Sequence, residues 1–188
     1  MANNEYRKLP TGIQAFNIIR EEGYLYVDKT DMVWKLANKG LKYNYLSRPR
    51  RFGKSVLIDT LQCYFEGRKE LFEGLKIMDL EKDWKAYPVI RLDMSRGGAN
   101  AETLRSYLNL RFGYYEEKYA ITPNPTAQLA DRFDAIITTA YKQTGLKVAI
   151  LIDEYEKPII DNIDNPELME QFRRELQGFY SVIKGKDN

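Results

Sequence analysis

Two short runs in this chain carry the residue types that phosphoryl chemistry needs. The first is Gly53-Lys54-Ser55. A glycine lets backbone N–H groups approach an anion, a lysine neutralises the β and γ oxygens of a triphosphate, and a hydroxyl at the positive end of a helix ligates Mg²⁺. The second is Val148-Ala-Ile-Leu-Ile-Asp153-Glu154, an apolar strand pattern ending in two acids, the arrangement of a Walker B segment. Asp153 in that position is expected to hold a Mg²⁺-bound water, and Glu154 to orient or deprotonate the water that attacks the γ-phosphate. Each run has a plainer reading when taken alone: a solvated basic loop for the first, and a helix N-cap with a first-turn acid for the second. Two independent signals in this order, each after a strand pattern, favour the nucleotide reading. Ligands of open α/β sheets collect at the carboxyl ends of the strands, where both runs then fall.

The loop departs from the generic G-x-x-x-x-G-K-[ST] pattern. Arg48 stands where the first glycine would be, and Pro49 removes one backbone donor. Arg48, Arg50 and Arg51 compensate by concentrating positive charge beside Lys54. The stretch expected to contact a nucleotide is therefore Arg48, Pro49, Arg50, Arg51, Phe52, Gly53, Lys54, Ser55 and Val56. Ser55 and Asp153 are the expected metal-binding residues, and Lys54, Asp153 and Glu154 the expected catalytic ones.

These groups need a scaffold, and the periodicity describes one. Residues 24–27 and 42–46 read as strands, as do the segments at 89–93 and 147–152. The last is apolar throughout, the pattern of a strand buried on both faces. Between them lie amphipathic helices: one opened at Asp28 and ended by Gly40, one carrying Leu57, Leu61, Tyr64 and Phe65, one with Leu104, Leu108, Phe112 and Tyr115, and one with Leu129, Phe133, Ile136 and Ala140 that Gly145 stops. A final helix starts at Asn165 and Pro166 and presents Leu168, Phe172, Leu176, Phe179 and Ile183. Strands separated by helices imply a mainly parallel sheet with helical crossovers.

Composition removes several other chemistries. The 188 residues contain no histidine, which excludes serine–histidine triads and two-histidine zinc sites, and one cysteine, which excludes an internal disulfide. With 29 Lys+Arg against 27 Asp+Glu, the net charge is +2, so no global field argues for nucleic acid or an anionic membrane. The start of the chain has no apolar signal-peptide core, and the run 148–152 is far too short to span a bilayer, so a cytoplasmic setting is the expectation. The abundant aromatics fall on helical faces and read as core. Cys63 reads as a packing residue, Arg173 and Arg174 as a solvated helix face, and Asp93, at a strand end, as a neighbour of the site.

The strings Ser47-Arg-Pro-Arg-Arg-Phe-Gly-Lys-Ser55, Leu151-Ile-Asp-Glu-Tyr-Glu-Lys-Pro158 and Tyr26-Val-Asp-Lys-Thr30 resemble the AAA-ATPase-like family of predicted bacterial P-loop ATPases, whose members often carry a C-terminal PD-(D/E)XK nuclease-like domain. The resemblance extends over essentially the whole chain, including Tyr64-Phe-Glu-Gly67, Leu71-Phe-Glu-Gly-Leu75 and Pro88-Val-Ile-Arg-Leu-Asp93. It implies a P-loop NTPase-type three-layer α/β sandwich over residues 1–188, with ATP and Mg²⁺ as ligands. It also makes the missing first glycine a property of the family. By the same resemblance Lys54 contacts the β and γ phosphates, Ser55 and Asp153 organise Mg²⁺, and Glu154 is the catalytic acid/base. The signature at 26–30 has two readings, a helix cap by Asp28 and a lining for the base side of the nucleotide, and the cap comes first.

A further sheet strand, ending in a polar sensor, and a lid usually follow Walker B in this division, and neither is recognisable before Asn188. The expectation is therefore the N-terminal portion of such a domain, its sheet incomplete at the C-terminal end. No nuclease motif is recognisable either. Two other functions stay open: a catalytically silent P-loop interaction module, or a regulatory module for a nucleic-acid-acting domain, with nucleic acid as a partner by family analogy alone. A direct nucleic-acid contact through the 48–54 loop is the weakest reading, and oligomerisation is left open.

Overall fold

The computed structural model describes residues 7–47, 52–97, 100–124 and 126–185. The chain divides into two compact units, Met1–Val89 and Ile90–Asn188.

The first unit is helical. It holds α1 (Phe16–Glu21), α2 (Thr30–Lys39), α3 (Lys54–Phe65), a 3-10 turn at Lys69–Phe72 and α4 (Ile77–Leu80). Its core gathers Phe16, Val33, Cys63, Tyr64, Phe72 and Ile77. Aromatic rings tie these elements together: Phe16 lies 4.9 Å from Phe72, and Phe72 lies 5.1 Å from Trp84. In α3 the fully buried positions are Thr60, Cys63 and Tyr64, with Leu57, Leu61 and Phe65 only partly covered. The buried face is thus rotated from the expected one. Thr60 tolerates burial because its hydroxyl donates to the Val56 carbonyl one turn back at 2.8 Å.

Two of the expected strands do not form. Residues 24–27 are irregular, and so are residues 42–46, the segment expected to lead into the phosphate loop. The alternating pattern of 42–46 is present, yet Tyr43 and Tyr45 are exposed. Alternation makes a segment compatible with a sheet, but only hydrogen bonds from a neighbouring strand make it one.

The second unit contains β1 (Val89–Asp93), a 3-10 turn at Met94–Gly97, α5 (Ala101–Lys118), α6 (Leu129–Thr144), β2 (Ala149–Asp153), α7 (Lys157–Ile160) and α8 (Pro166–Gly185). β1 and β2 pair in parallel as a two-stranded sheet, with α5 and α6 making the crossover that parallel strands require. The chain is therefore mixed α/β and mostly helical. The broad sheet expected of a three-layer sandwich is absent among the described residues, where β1 is the strand paired with β2. In β2 only Leu151 and Asp153 are fully buried, so the strand is less enclosed than its apolar run suggests.

Helix boundaries follow local signals. The Asn100 side chain accepts from the Thr103 N–H at 2.8 Å, and Asn165 accepts from the Leu168 N–H at 3.0 Å, both N-cap bonds. Gly145 ends α6 with φ of 68°, a left-handed conformation that glycine adopts without strain. Leu104, Leu108, Phe112, Phe133, Ile136, Phe172, Leu176 and Phe179 interlock as the core, with Phe133 and Phe179 stacked at 4.4 Å. One charged pair sits inside this packing. Arg132 reaches both oxygens of Glu116 at 2.7 Å, and the Glu116 side chain is only 4% exposed. Among the described residues no helix is long and apolar enough to cross a membrane.

Candidate functional site

The phosphate-loop residues begin with a left-handed glycine. Gly53 is the N-cap of α3 with φ of 74°, and a Cβ built there would meet nothing within 4 Å among the described residues. The conformation, rather than crowding, is what calls for glycine. Lys54, Ser55 and Val56 form the first turn of α3, and its N-cap, being glycine, has no side chain to cap that end. Helical N–H groups following a left-handed residue make a concavity that suits an anion, with the helix dipole adding to it. Phe52, just before the glycine, is 63% exposed. Arg48, Pro49, Arg50 and Arg51 lie outside the described residues.

α3 is held in place from below the loop. The Phe16 N–H, at the start of α1, donates to the Asp59 carboxylate at 2.7 Å. The segment at 26–30 contributes a second anchor. Asp28 accepts from the Thr30 N–H at 2.9 Å and hydroxyl at 2.7 Å, while its other oxygen accepts from the Lys76 N–H at 2.8 Å. The Thr30 hydroxyl in turn accepts from the Ile77 N–H at 3.1 Å. The N-cap of α2 is Lys29 rather than the expected Asp28, which stands one residue earlier, fixes the start of the helix through Thr30 and also ties α2 to α4, which sequence does not reveal. Partial burial pushes its carboxyl up, but the hydrogen bonds from Lys76 and Thr30 outweigh that and hold it below the usual range.

In the second unit the acids occupy the carboxyl end of the sheet. Asp153 is the last residue of β2 and is buried, with its Oδ1 accepting from the Glu154 N–H at 3.0 Å. Asp93 ends the parallel neighbour β1, so the two carboxylates terminate adjacent strands on the same edge. Asp93 also receives the Ser95 N–H at 3.0 Å and faces Arg96 at 3.8 Å. Glu154 departs from ordinary backbone geometry: its φ is 52°. A non-glycine residue in the left-handed region costs about 1–2 kcal/mol, and such residues cluster at functional sites. The turn closes with the Lys157 N–H donating to the Glu154 carbonyl at 2.9 Å.

Sequence reasoning missed how this edge is fixed. The Tyr107 hydroxyl accepts from the Asp93 N–H at 2.6 Å, and the Tyr115 hydroxyl accepts from the Arg91 N–H at 2.7 Å. Tyrosines of α5 thus take the place of a further strand along β1 and satisfy its outward donors. The four-residue spacing of Tyr107, Arg111 and Tyr115 is the signal that marks this ridge.

A family model described as "Predicted AAA-ATPase" matches residues 10–188. A protein of Azotobacter chroococcum mcd 1 described as "Uncharacterized protein in vnfD 5'region" is 41% identical over 184 residues, which cover 96% of this chain and 35% of the relative. The chain spans about a third of the length of that relative. No solved structure matches it. On the match over nearly its whole length, the chain belongs to the AAA-ATPase-like family.

Proposed function

We propose that this chain binds Mg-ATP and hydrolyses it, within a P-loop NTPase-type domain. The observation that carries the reading is the left-handed Gly53 at the start of α3, followed directly by Lys54 and Ser55. A phosphate suits those groups: the first-turn N–H groups of α3 follow a left-handed residue, a lysine comes next in the chain, and the glycine brings no Cβ. In the proposal Lys54 neutralises charge on the β and γ phosphates, and Ser55 and Asp153 hold Mg²⁺. The ion, when bound, neutralises phosphate oxygens and stabilises the charge that develops on transfer. Glu154 orients the attacking water and accepts its proton, and its constrained backbone supports a role that depends on fixed aim. Membership of a family named for ATPases supports nucleotide use. The proposal places this chemistry in the cytoplasm, where Mg-ATP is supplied and the thiol of Cys63 stays reduced.

The test is thermal unfolding with and without millimolar Mg-ATP, alongside phosphate release. Saturating ligand raises Tm by binding linkage, and Lys54→Ala abolishes the rise. Absence of any rise in the wild-type chain refutes nucleotide binding. Binding without phosphate release, unaltered by Glu154→Gln, identifies a silent interaction module instead.

A further inference from the structure

The carboxyl edge of the sheet collects negative charge. Asp93 and Asp153 end adjacent parallel strands, and Glu154 follows in the turn. Three carboxylates repel an anion as highly charged as a triphosphate unless cations stand among them. Lys157, a little further along the chain, is engaged elsewhere: its ammonium pairs with Asp161 at 2.9 Å. Arg96 is held far more loosely. Its Nε lies 3.8 Å from the Asp93 carboxylate, too far for a hydrogen bond, and its side chain is 75% exposed. Arg132, in the same unit, instead grips Glu116 through two bonds at 2.7 Å.

The backbone that carries Arg96 is fixed, unlike its side chain. The turn Met94–Gly97 runs directly on from β1, with Met94 fully buried and the Ser95 N–H donating to the Asp93 carboxylate at 3.0 Å. A Cβ on Gly97 would come within 2.6 Å of the Leu104 side chain and 2.9 Å of its Cα, so the turn is pressed against α5. The same turn packs on β2 and on α7, the elements on either side of Glu154. A rigid turn beside the acidic one thus presents a long, loosely held guanidinium.

We infer that Arg96 contacts the transferring γ-phosphoryl group, as an arginine supplied by this chain from the turn after β1. The inference rests on the reading of Asp153 and Glu154 as the nucleotide-handling acids. In the step, the water oxygen bonds to the γ phosphorus while the bond to the β,γ-bridging oxygen breaks. That electron pair leaves with ADP, and the water proton passes to Glu154. Arg96 gives up no proton. Its planar, permanently charged fork neutralises the outer oxygens of the phosphoryl group as charge spreads over them. The long contact to Asp93 is an exposed pair that parts readily when a phosphate offers better geometry.

The experiment uses the whole chain and compares the thermal shift given by Mg-ADP with that given by Mg-ADP and aluminium fluoride, which imitates the phosphoryl group in transfer. Phosphate release from Mg-ATP is measured alongside. In the wild-type chain aluminium fluoride raises Tm beyond the Mg-ADP value. Arg96→Ala keeps the ligand-free Tm and the Mg-ADP shift, loses the added shift and lowers kcat about 1000-fold. Arg96→Lys, which keeps the charge without the fork, falls between the two. Arg174→Ala removes an exposed arginine that faces Glu170 on α8 and leaves all three readouts at wild type. An Arg96→Ala chain with wild-type kcat and the full aluminium fluoride shift overturns the inference while nucleotide binding stands. So does one whose ligand-free Tm falls along with its activity, since the arginine then serves the fold. A wild-type chain that Mg-ADP stabilises but that gains nothing from aluminium fluoride and releases no phosphate overturns the inference and the hydrolytic reading, with binding intact. No shift with any nucleotide overturns all of them.

Discussion

Replacing Gly53 with alanine tests the phosphate loop at the point where its chemistry and its backbone coincide. With φ of 74° and no atom of the described residues within 4 Å of the added Cβ, the substitution introduces left-handed strain without a clash among them. That strain is about 1–2 kcal/mol. Alanine also narrows the unfolded ensemble, which returns about 0.4–1 kcal/mol. The net loss is then about 1 kcal/mol, close to a fivefold change in the folded-to-unfolded ratio. Urea unfolding reads it as a lower midpoint at unchanged slope. Gly53→Asn separates the two contributions, since asparagine occupies the left-handed region at smaller cost while still adding a side chain. Gly53→Ala pulls the loop out of the left-handed conformation that leads into the first turn of α3 and so loses most of the Mg-ATP thermal shift, whereas Gly53→Asn, which keeps that conformation, loses only part of it. Wild-type stability for Gly53→Ala refutes the left-handed loop. A full ligand shift in both variants refutes the assignment of phosphate to this helix start.

Two further outcomes concern the anchors of each unit. Glu116→Ala removes the carboxylate that faces Arg132, whose side chain is only 15% exposed, and leaves a buried charge uncompensated. Urea unfolding should show a loss of about 3–5 kcal/mol, and a loss under 1 kcal/mol would mean that the pair is solvated. Asp28→Asn weakens the bonds to Thr30 and Lys76, which costs about 1 kcal/mol near neutral pH. Because the Asp28 carboxyl is held below its usual range, its contribution is present above the unfolded pKa of 3.8 and is lost as pH falls through the lower folded value. The difference between wild type and Asp28→Asn should therefore shrink below about pH 4, and a difference constant down to pH 2 refutes the charge-based account.

How much of this molecule is legible in its sequence depends on where each element finds its hydrogen bonds. Helices α5, α6 and α8 close their bonds within four residues, and their starts and stops are written in the same segment: Asn100, Gly145, Asn165. Their apolar faces at Leu104 to Tyr115, Phe133 to Ala140 and Phe172 to Phe179 are buried as the periodicity requires. Both strands that do form, β1 and β2, are bounded and apolar enough to be found by pattern alone.

The residues at 42–46 carry a strand pattern equally well and form no strand, since their bonds depend on a neighbour that the segment itself does not specify. The same distinction divides the candidate site. Glycine, lysine, serine and two acids announce their chemistry by type and spacing. The left-handed turn at Glu154, the reach of Asp28 to Lys76 and the tyrosines along β1 come only from contacts between residues far apart in the chain. Sequence by itself determined which groups are present and which helices carry them. Tertiary structure decided which backbone each group is strained or bonded into, because those partners are assembled only when the chain has packed.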